Sequence, residues 1–187
     1  MRIVSGEKRG LKLCDVPKEA LCRPTTDRVK ESVFNIIRFS VKGRALDLFG
    51  GTGQLAIEAV SNGCRSGVVC DNSPISLELI RRNVKRAGYE DKITVLNCDY
   101  KNFLRRQAQK HEFSLIFLDP PYHTPLAERS LCFISEADCL AKDGIVVLES
   151  SADEPFEEIY GGLRLRKKYV YGQIAVRIFE RTDLDFE

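Results

Sequence analysis

The stretch Asp47-Leu48-Phe49-Gly50-Gly51-Thr52-Gly53-Gln54-Leu55-Ala56 decides the fold. It begins in a short apolar run, Ala45 to Phe49, and opens into a helical pattern from Gln54 to Asn62 that stops before Gly63. Gly51, Gly53 and Ala56 satisfy Gly-x-Gly-x-x-Gly/Ala where a strand meets a helix, the setting in which such a loop cradles a nucleotide-like ligand. Glycine there allows a tight turn and a close ligand approach. Asp71 closes the next apolar run, where a carboxylate can accept hydrogen bonds from both ribose hydroxyls. By itself the loop serves a nicotinamide or an adenosyl ligand equally well.

Reading outward, short apolar runs alternate with longer amphipathic ones. Gly67–Asp71, Ile93–Cys98, Phe113–Leu118 and Gly144–Leu148 are continuous and rich in β-branched residues, as strands covered on both faces are. Pro74–Ala87 reads as a helix with Ser73 as N-cap and Gly88 at its stop. Tyr100–Gln109 and Leu126–Leu140 read as two more helices. This alternation implies a parallel sheet with right-handed crossovers. Asp27–Phe39 reads as a helix preceded by a basic arm. Leu163–Val170 and Gln173–Phe179 flank Tyr171-Gly172 and suggest a closing antiparallel hairpin. The expected organisation is one domain over residues 1–187, with residues 1–44 as a basic arm and helix appended to the core.

Composition excludes several classes. The 187 residues are 43% hydrophobic and 30% charged, a globular balance. No apolar run is long enough to span a membrane, and Met1 to Arg9 lacks a signal core, so a cytoplasmic protein is expected. Seven cysteines are scattered singly and only His111 and His123 could join them, so no metal site is expected. Unpaired cysteines read as reduced thiols; Cys70 and Cys98 end strands and are expected to pack. The net charge of +2 is a cancellation: residues 1–46 sum to +6, 47–161 to −6, 162–181 to +5 and the last six to −3. Basic ends around an acidic middle fit a solvated face or a polyanion footprint.

Leu118-Asp119-Pro120-Pro121-Tyr122 is the most specific signal. Two prolines fix φ and remove two N–H donors, leaving a rigid turn rich in acceptors. The Asp119 side chain and the Pro120 carbonyl can converge on an exocyclic amine and aim its lone pair at an electrophile. Tyr122 offers a face on which a base can stack. A methyl sulfonium is already activated, so such a site works by alignment. Two further details favour S-adenosylmethionine. Asp47, just ahead of the loop, can hold an ammonium and would be a poor neighbour for a pyrophosphate. Asp99, in Cys98-Asp99-Tyr100, can accept from an adenine amine, cap the following helix, or do both. His123 reads as a loop residue.

These residues resemble the N-methyltransferases of the class I S-adenosylmethionine-dependent fold. Met1-Arg-Ile-Val-Ser-Gly6, Arg23-Pro-Thr-Thr-Asp-Arg-Val-Lys-Glu31, Asp47 to Gly53, Asp119 to Tyr122 and Tyr171-Gly-Gln173 occur in the order found in the bacterial RsmD-type family. That family methylates the N2 amine of a guanine in small-subunit (16S) ribosomal RNA. The resemblance covers nearly the whole chain, and Arg23 to Arg28 is its most family-specific part. It implies a Rossmann-like α/β fold, a mostly parallel seven-stranded sheet with helices on both faces, and S-adenosyl-L-methionine as cofactor. Asp47, Gly50, Gly51 and Gly53 would line the methionine side. Asp71 would bind the ribose and Asp99 the adenine end, with Phe49, Asn72 and Tyr100 as further cofactor-binding positions. Asp119, Pro120, Pro121 and Tyr122 would hold the guanine. The segment Arg23 to Arg28 would cover the cofactor or touch RNA. Tyr122 adds a hydroxyl without an evident use.

If Arg2, Lys8, Arg9 and Lys12 near the start and Arg164, Arg166, Lys167 and Lys168 near the end reach the sheet edge beside Asp119, they would grip RNA phosphates, in ribosomal RNA or a partly assembled small subunit, and a monomer suffices. Three rivals stay open. An adenine-N6 DNA methyltransferase also uses Asp-Pro-Pro-Tyr, but this chain carries no evident target-recognition domain. A nicotinamide oxidoreductase leaves Asp47 and the proline turn unexplained. A non-catalytic RNA-binding module fits poorly with an intact loop and turn.

Overall fold

The computed structural model describes residues 1–16 and 26–182. Its helices are α1 (Asp27–Ile37), α2 (Gln54–Ser61), α3 (Pro74–Ala87), α4 (Tyr100–Arg106) and α5 (Leu126–Ala137). Its strands are β1 (Arg44–Asp47), β2 (Ser66–Asp71), β3 (Ile93–Asn97), β4 (Phe113–Leu118), β5 (Leu140–Ser151), β6 (Ile159–Tyr160), β7 (Leu163–Tyr171) and β8 (Ile174–Arg181). They form one sheet in the order β3-β2-β1-β4-β5-β8-β7-β6. β1 to β5 pair in parallel, and β8, β7 and β6 pair antiparallel. The sheet has one strand more than the expected seven, the two-residue β6 at its edge.

Continuous apolar strands give the sheet two cores. In β4 every residue is buried. Leu115 and Phe117 face a core with α1, α2 and α3, while Phe113, Ile116 and Leu118 face one with α4 and α5. Alternate side chains of a strand point to opposite faces, so an all-apolar run serves both; a register irregularity between Phe113 and Leu115 sets Phe113 on the face of Ile116 and Leu118. α3 starts and stops as its sequence signals imply: the Ser73 hydroxyl accepts from the Ser76 N–H, and Gly88 follows the last turn.

The N-terminal segment is part of this packing. Ile3 and Leu13 are buried in the α1–α3 core, and a single antiparallel bridge joins Arg2 to Lys12. Several expected boundaries shift: α1 ends at Ile37 rather than Phe39, and β5 begins at Leu140 rather than Gly144. α5 ends at Ala137, not Leu140, because Asp138 turns left-handed (φ 47°) and the chain enters β5 at Leu140. α4 is likewise shorter, ending at Arg106 rather than Gln109.

The strand order reverses between β1 and β4, and the crevice outside their carboxyl ends is where ligands of such sheets bind. Register places Asp47 against Val69 on one side and Phe117 on the other. The acid that opens the glycine loop and the turn that follows β4 are therefore neighbours.

Candidate active site and cofactor cavity

A cavity of about 1040 Å³ opens at this edge. Its wall contains Phe49, Gly50 and Gly51 from the loop, Asp71 and Asn72 after β2, and Asp99 and Tyr100 after β3. Asp119, Pro120, Pro121 and Tyr122 form another part of it, and Thr26, Lys30, Glu149, Tyr171 and Gln173 complete the ring. Two sequence-derived residues stand behind the wall. Gly53 caps α2 in a left-handed conformation (φ 74°) with no side-chain bond. Asp47 is buried beneath the loop, 1% exposed.

The loop is set by close contacts. A Cβ on Gly50 would meet Val69 Cγ1 at 2.4 Å and Ile80 Cδ1 at 2.9 Å. The Gly50 N–H donates to the Cys70 carbonyl at 2.8 Å. Asp71 ties the loop to β2: its Oδ2 accepts from the Gly51 N–H and its Oδ1 from the Ser73 N–H, both at 2.8 Å. Asp99 caps α4 through Oδ1, accepting from Lys101 N–H at 2.9 Å and Asn102 N–H at 3.4 Å.

Three carboxyl groups converge. Burial pushes the Asp47 carboxyl up to about 7, against the pull of the Phe49 N–H and with help from the Asp71 charge. Its Oδ1 is a buried oxygen with no hydrogen-bond partner among the described residues. Such an atom costs free energy until a donor reaches it, and a cationic donor suits it best. Asp119 is held well above the usual carboxylate range, first by burial, then by the charges of Glu149 and Asp47. The Tyr122 hydroxyl, without a use in sequence, donates to Glu149 Oε1 at 2.7 Å.

Sequence reading missed Glu149, Glu154 and Lys30. Glu149 follows the apolar run Gly144–Leu148 just as Asp119 follows Phe113–Leu118, and that position was the available signal. Lys30 is a buried lysine (2% exposed) whose ammonium pairs with Asp27 at 3.0 Å. Asp27 also accepts from Arg2 at 2.9 Å. Arg23, Pro24 and Thr25 lie outside the described residues; Thr26 caps α1 and reaches the cavity wall.

The basic ends are divided. Tyr171, the last residue of β7, lines the cavity, so Arg164 and Arg166 lie roughly 15–25 Å back along the strand. Both pair with Glu180, at 2.8 and 3.7 Å. They do not reach the edge beside Asp119, so for these two the condition for a phosphate grip there is not met. Lys168 donates to the Ala152 carbonyl at 3.2 Å, next to the cavity residue Ser151. Among the described residues no group of three or more His, Cys, Asp or Glu could hold a metal. No described helix is long and apolar enough to cross a membrane.

A family model described as conserved hypothetical protein 95 matches residues 1–180. The chain belongs to that family, the RsmD-type methyltransferases. Within it, the ribosomal RNA small subunit methyltransferase D of Escherichia coli K12 is 30% identical over 184 residues, 97% of this chain and 90% of that protein. YlbH of Bacillus subtilis, whose name carries a provisional rRNA methyltransferase assignment, is 36% identical over 97% of this chain and 99% of its own length. The solved structure of yhhF from E. coli, titled provisionally as a methyltransferase, superposes with a TM-score of 0.84 at 25% identity, covering 97% of each chain. In this chain β8 lies antiparallel between β5 and β7.

Proposed function

We propose that the chain transfers the methyl group of S-adenosyl-L-methionine to the N2 amine of a guanine in small-subunit ribosomal RNA. The observation that carries this reading is that Asp119 to Tyr122 share one cavity wall with Gly50, Gly51, Asp71 and Asp99. The residues fit the cofactor. The unsatisfied Asp47 Oδ1 suits the ammonium of its methionine part, directly or through one water. Asp71 keeps lone pairs for ribose hydroxyls beyond those given to Gly51 and Ser73. When bound, the cofactor supplies a methyl group already activated by its sulfonium.

The chain's own residues then orient the acceptor. The Asp119 carboxylate and the Pro120 carbonyl accept the two N–H groups of the amine, and the lone pair turns toward the cofactor side. Pro120 and Pro121 carry no N–H, so the turn is rich in acceptors. The Tyr122 ring stacks on the base, which leaves its own stack to enter. Catalysis is by proximity and alignment. A cation in the cavity favours ionised Asp119. Burial raises its proton affinity, which suits it to take the proton the amine sheds.

The reading is tested with labelled S-adenosylmethionine and three acceptors: naked small-subunit RNA, assembling subunits, and DNA. Digestion should release labelled N2-methylguanosine from RNA or the particles. Labelled N6-methyladenine from DNA would overturn the substrate, and no transfer to any acceptor would overturn the activity.

A further inference from the structure

Among the bases that carry an exocyclic amine, guanine alone has a ring N–H next to it. In guanine N1–H stands beside the N2 amine. In adenine N1 stands beside N6, and in cytosine N3 beside N4, and each presents a lone pair. Enzymes that extrude a base read this edge by hydrogen bonding. A pocket that grips the amine can therefore choose guanine by placing a second acceptor one ring position away.

The fold supplies that acceptor. β4 and β5 run parallel with Leu118 paired to Leu148, so Asp119 and Glu149 emerge as neighbours at the same carboxyl edge. Both face the cavity. Glu149 is 9% exposed, and its Oε1 accepts the Tyr122 hydroxyl at 2.7 Å. The stacking ring and the second carboxylate are thus fastened to each other. After burial, the charge of Glu149 is the largest influence holding the Asp119 carboxyl up, so the two groups lie within electrostatic reach.

We propose that Glu149 selects guanine: its carboxylate accepts the N1–H while Asp119 and the Pro120 carbonyl hold the N2 amine. This rests on the guanine-N2 reading and supplies the basis of its specificity. Each carboxylate oxygen has two lone pairs, so Glu149 can accept from both Tyr122 and the base. Adenine or cytosine in the same pose sets a ring lone pair against a desolvated carboxylate, and both lose water without gaining a donor. Sites built around a substrate N–H reject analogues lacking it far more strongly than an apolar pocket rejects a missing methylene.

The test first maps the methylated guanine, then replaces it by 2,6-diaminopurine, which keeps the N2 amine but has an unprotonated N1. Wild-type protein should favour guanine by at least about 100-fold in kcat/KM. In Glu149→Gln the amide can turn its NH2 toward a ring lone pair, and the preference should fall to within about tenfold. Binding of S-adenosylhomocysteine reports that the variant is folded. Comparable wild-type rates on the two bases overturn the proposal without any variant. So does a folded Glu149→Gln protein that keeps the full preference. Wild-type protein that methylates no guanine overturns the proposed function itself, and this inference with it, which separates the two failures.

Discussion

Val4 donates its backbone N–H to Glu58 Oε1 at 2.6 Å, across 54 positions of the chain. The Ser5 N–H and hydroxyl both donate to Oε2 at 3.3 Å. Glu58 is fully buried on α2, the helix that the glycine loop opens. One carboxylate thereby fastens the N-terminal segment to the helix that follows the glycine loop. Glu58→Ala strands these donors and should lower stability by about 2–3 kcal/mol. The urea unfolding midpoint measures this. A loss under about 0.5 kcal/mol would mean that the segment is held by its other contacts, among them buried Ile3 and Leu13 and the Gln54 amide that donates to the Arg2 carbonyl.

Asp47 should make binding of the proposed cofactor pH-dependent. Burial raises its carboxyl to about 7. The ionised form attracts the ligand's ammonium and the protonated form does not, so below pH 7 a proton must leave for each ligand bound. Affinity for S-adenosylhomocysteine, which has the ammonium but no sulfonium, should tighten about tenfold from pH 6 to pH 8 and level off above. Calorimetric titration across that range checks it. Asp47→Asn should bind more weakly at pH 8 and lose most of the slope. An unchanged slope in that variant assigns the proton elsewhere.

The loop and the turn were legible because each is a contiguous signal whose chemistry is local. Glycines at a strand–helix junction and paired prolines after an acid declare themselves without tertiary information. Glu149 and Glu154 have no such neighbours; only the parallel register of Leu118 with Leu148 brings Glu149 to Asp119. The end of α5 was misread because Asp138, not glycine, takes the left-handed position. Lys142 and Asp143 then hid the start of β5, since an exposed charged pair does not read as buried strand. The basic residues of β7 were legible as charge but not as position. Their distance from the cavity follows from strand direction and from Glu180 on β8.

Gly50 leaves no room for a side chain. A methyl there would stand 2.4 Å from Val69 Cγ1 and 3.2 Å from the Cys70 carbonyl. β2 is held between β3 and β1, so the loop must move outward into the cavity. Gly50→Ala should cost about 1–3 kcal/mol of stability and weaken S-adenosylhomocysteine binding by at least about tenfold. Thermal unfolding and calorimetry measure the two. Native affinity in the variant would show that the loop backbone does not contact the ligand.

Asp119 divides binding from transfer. It follows β4, whereas Asp71 and Asp99 follow β2 and β3 on the other side of β1, so the proposed roles place it with the acceptor. Asp119→Ala should reduce methyl transfer by at least about 1000-fold, because the amine loses both orientation and a proton acceptor. Affinity for S-adenosylhomocysteine should stay within about threefold, which is below 1 kcal/mol. Single-turnover transfer and equilibrium binding on the same preparation check the pair. A parallel loss of both would place Asp119 on the cofactor instead.

Glu154 clamps the turn from outside. Its Oε1 accepts the His123 N–H at 2.7 Å and its Oε2 the Ser151 N–H at 2.8 Å, which joins the end of the Asp119–Tyr122 turn to the end of β5. His123 is held in a left-handed conformation (φ 56°), and the clamp helps hold it there. Arg177, buried on β8, donates to the Glu154 carbonyl at 2.7 Å, and its guanidinium lies 4.4 Å from the centre of the Phe156 ring. The side chain touches neither proposed ligand, so its effect must pass through the placement of Asp119 and Tyr122. A displacement near 1 Å at a reacting centre costs about 100-fold. Glu154→Ala should therefore lower kcat about 10–100-fold and leave S-adenosylhomocysteine affinity unchanged. Glu154→Gln, which keeps one acceptor, should recover part of the rate. A rate loss without any recovery in Gln, or a matching loss of cofactor affinity, would show that Glu154 serves the fold as a whole rather than the turn.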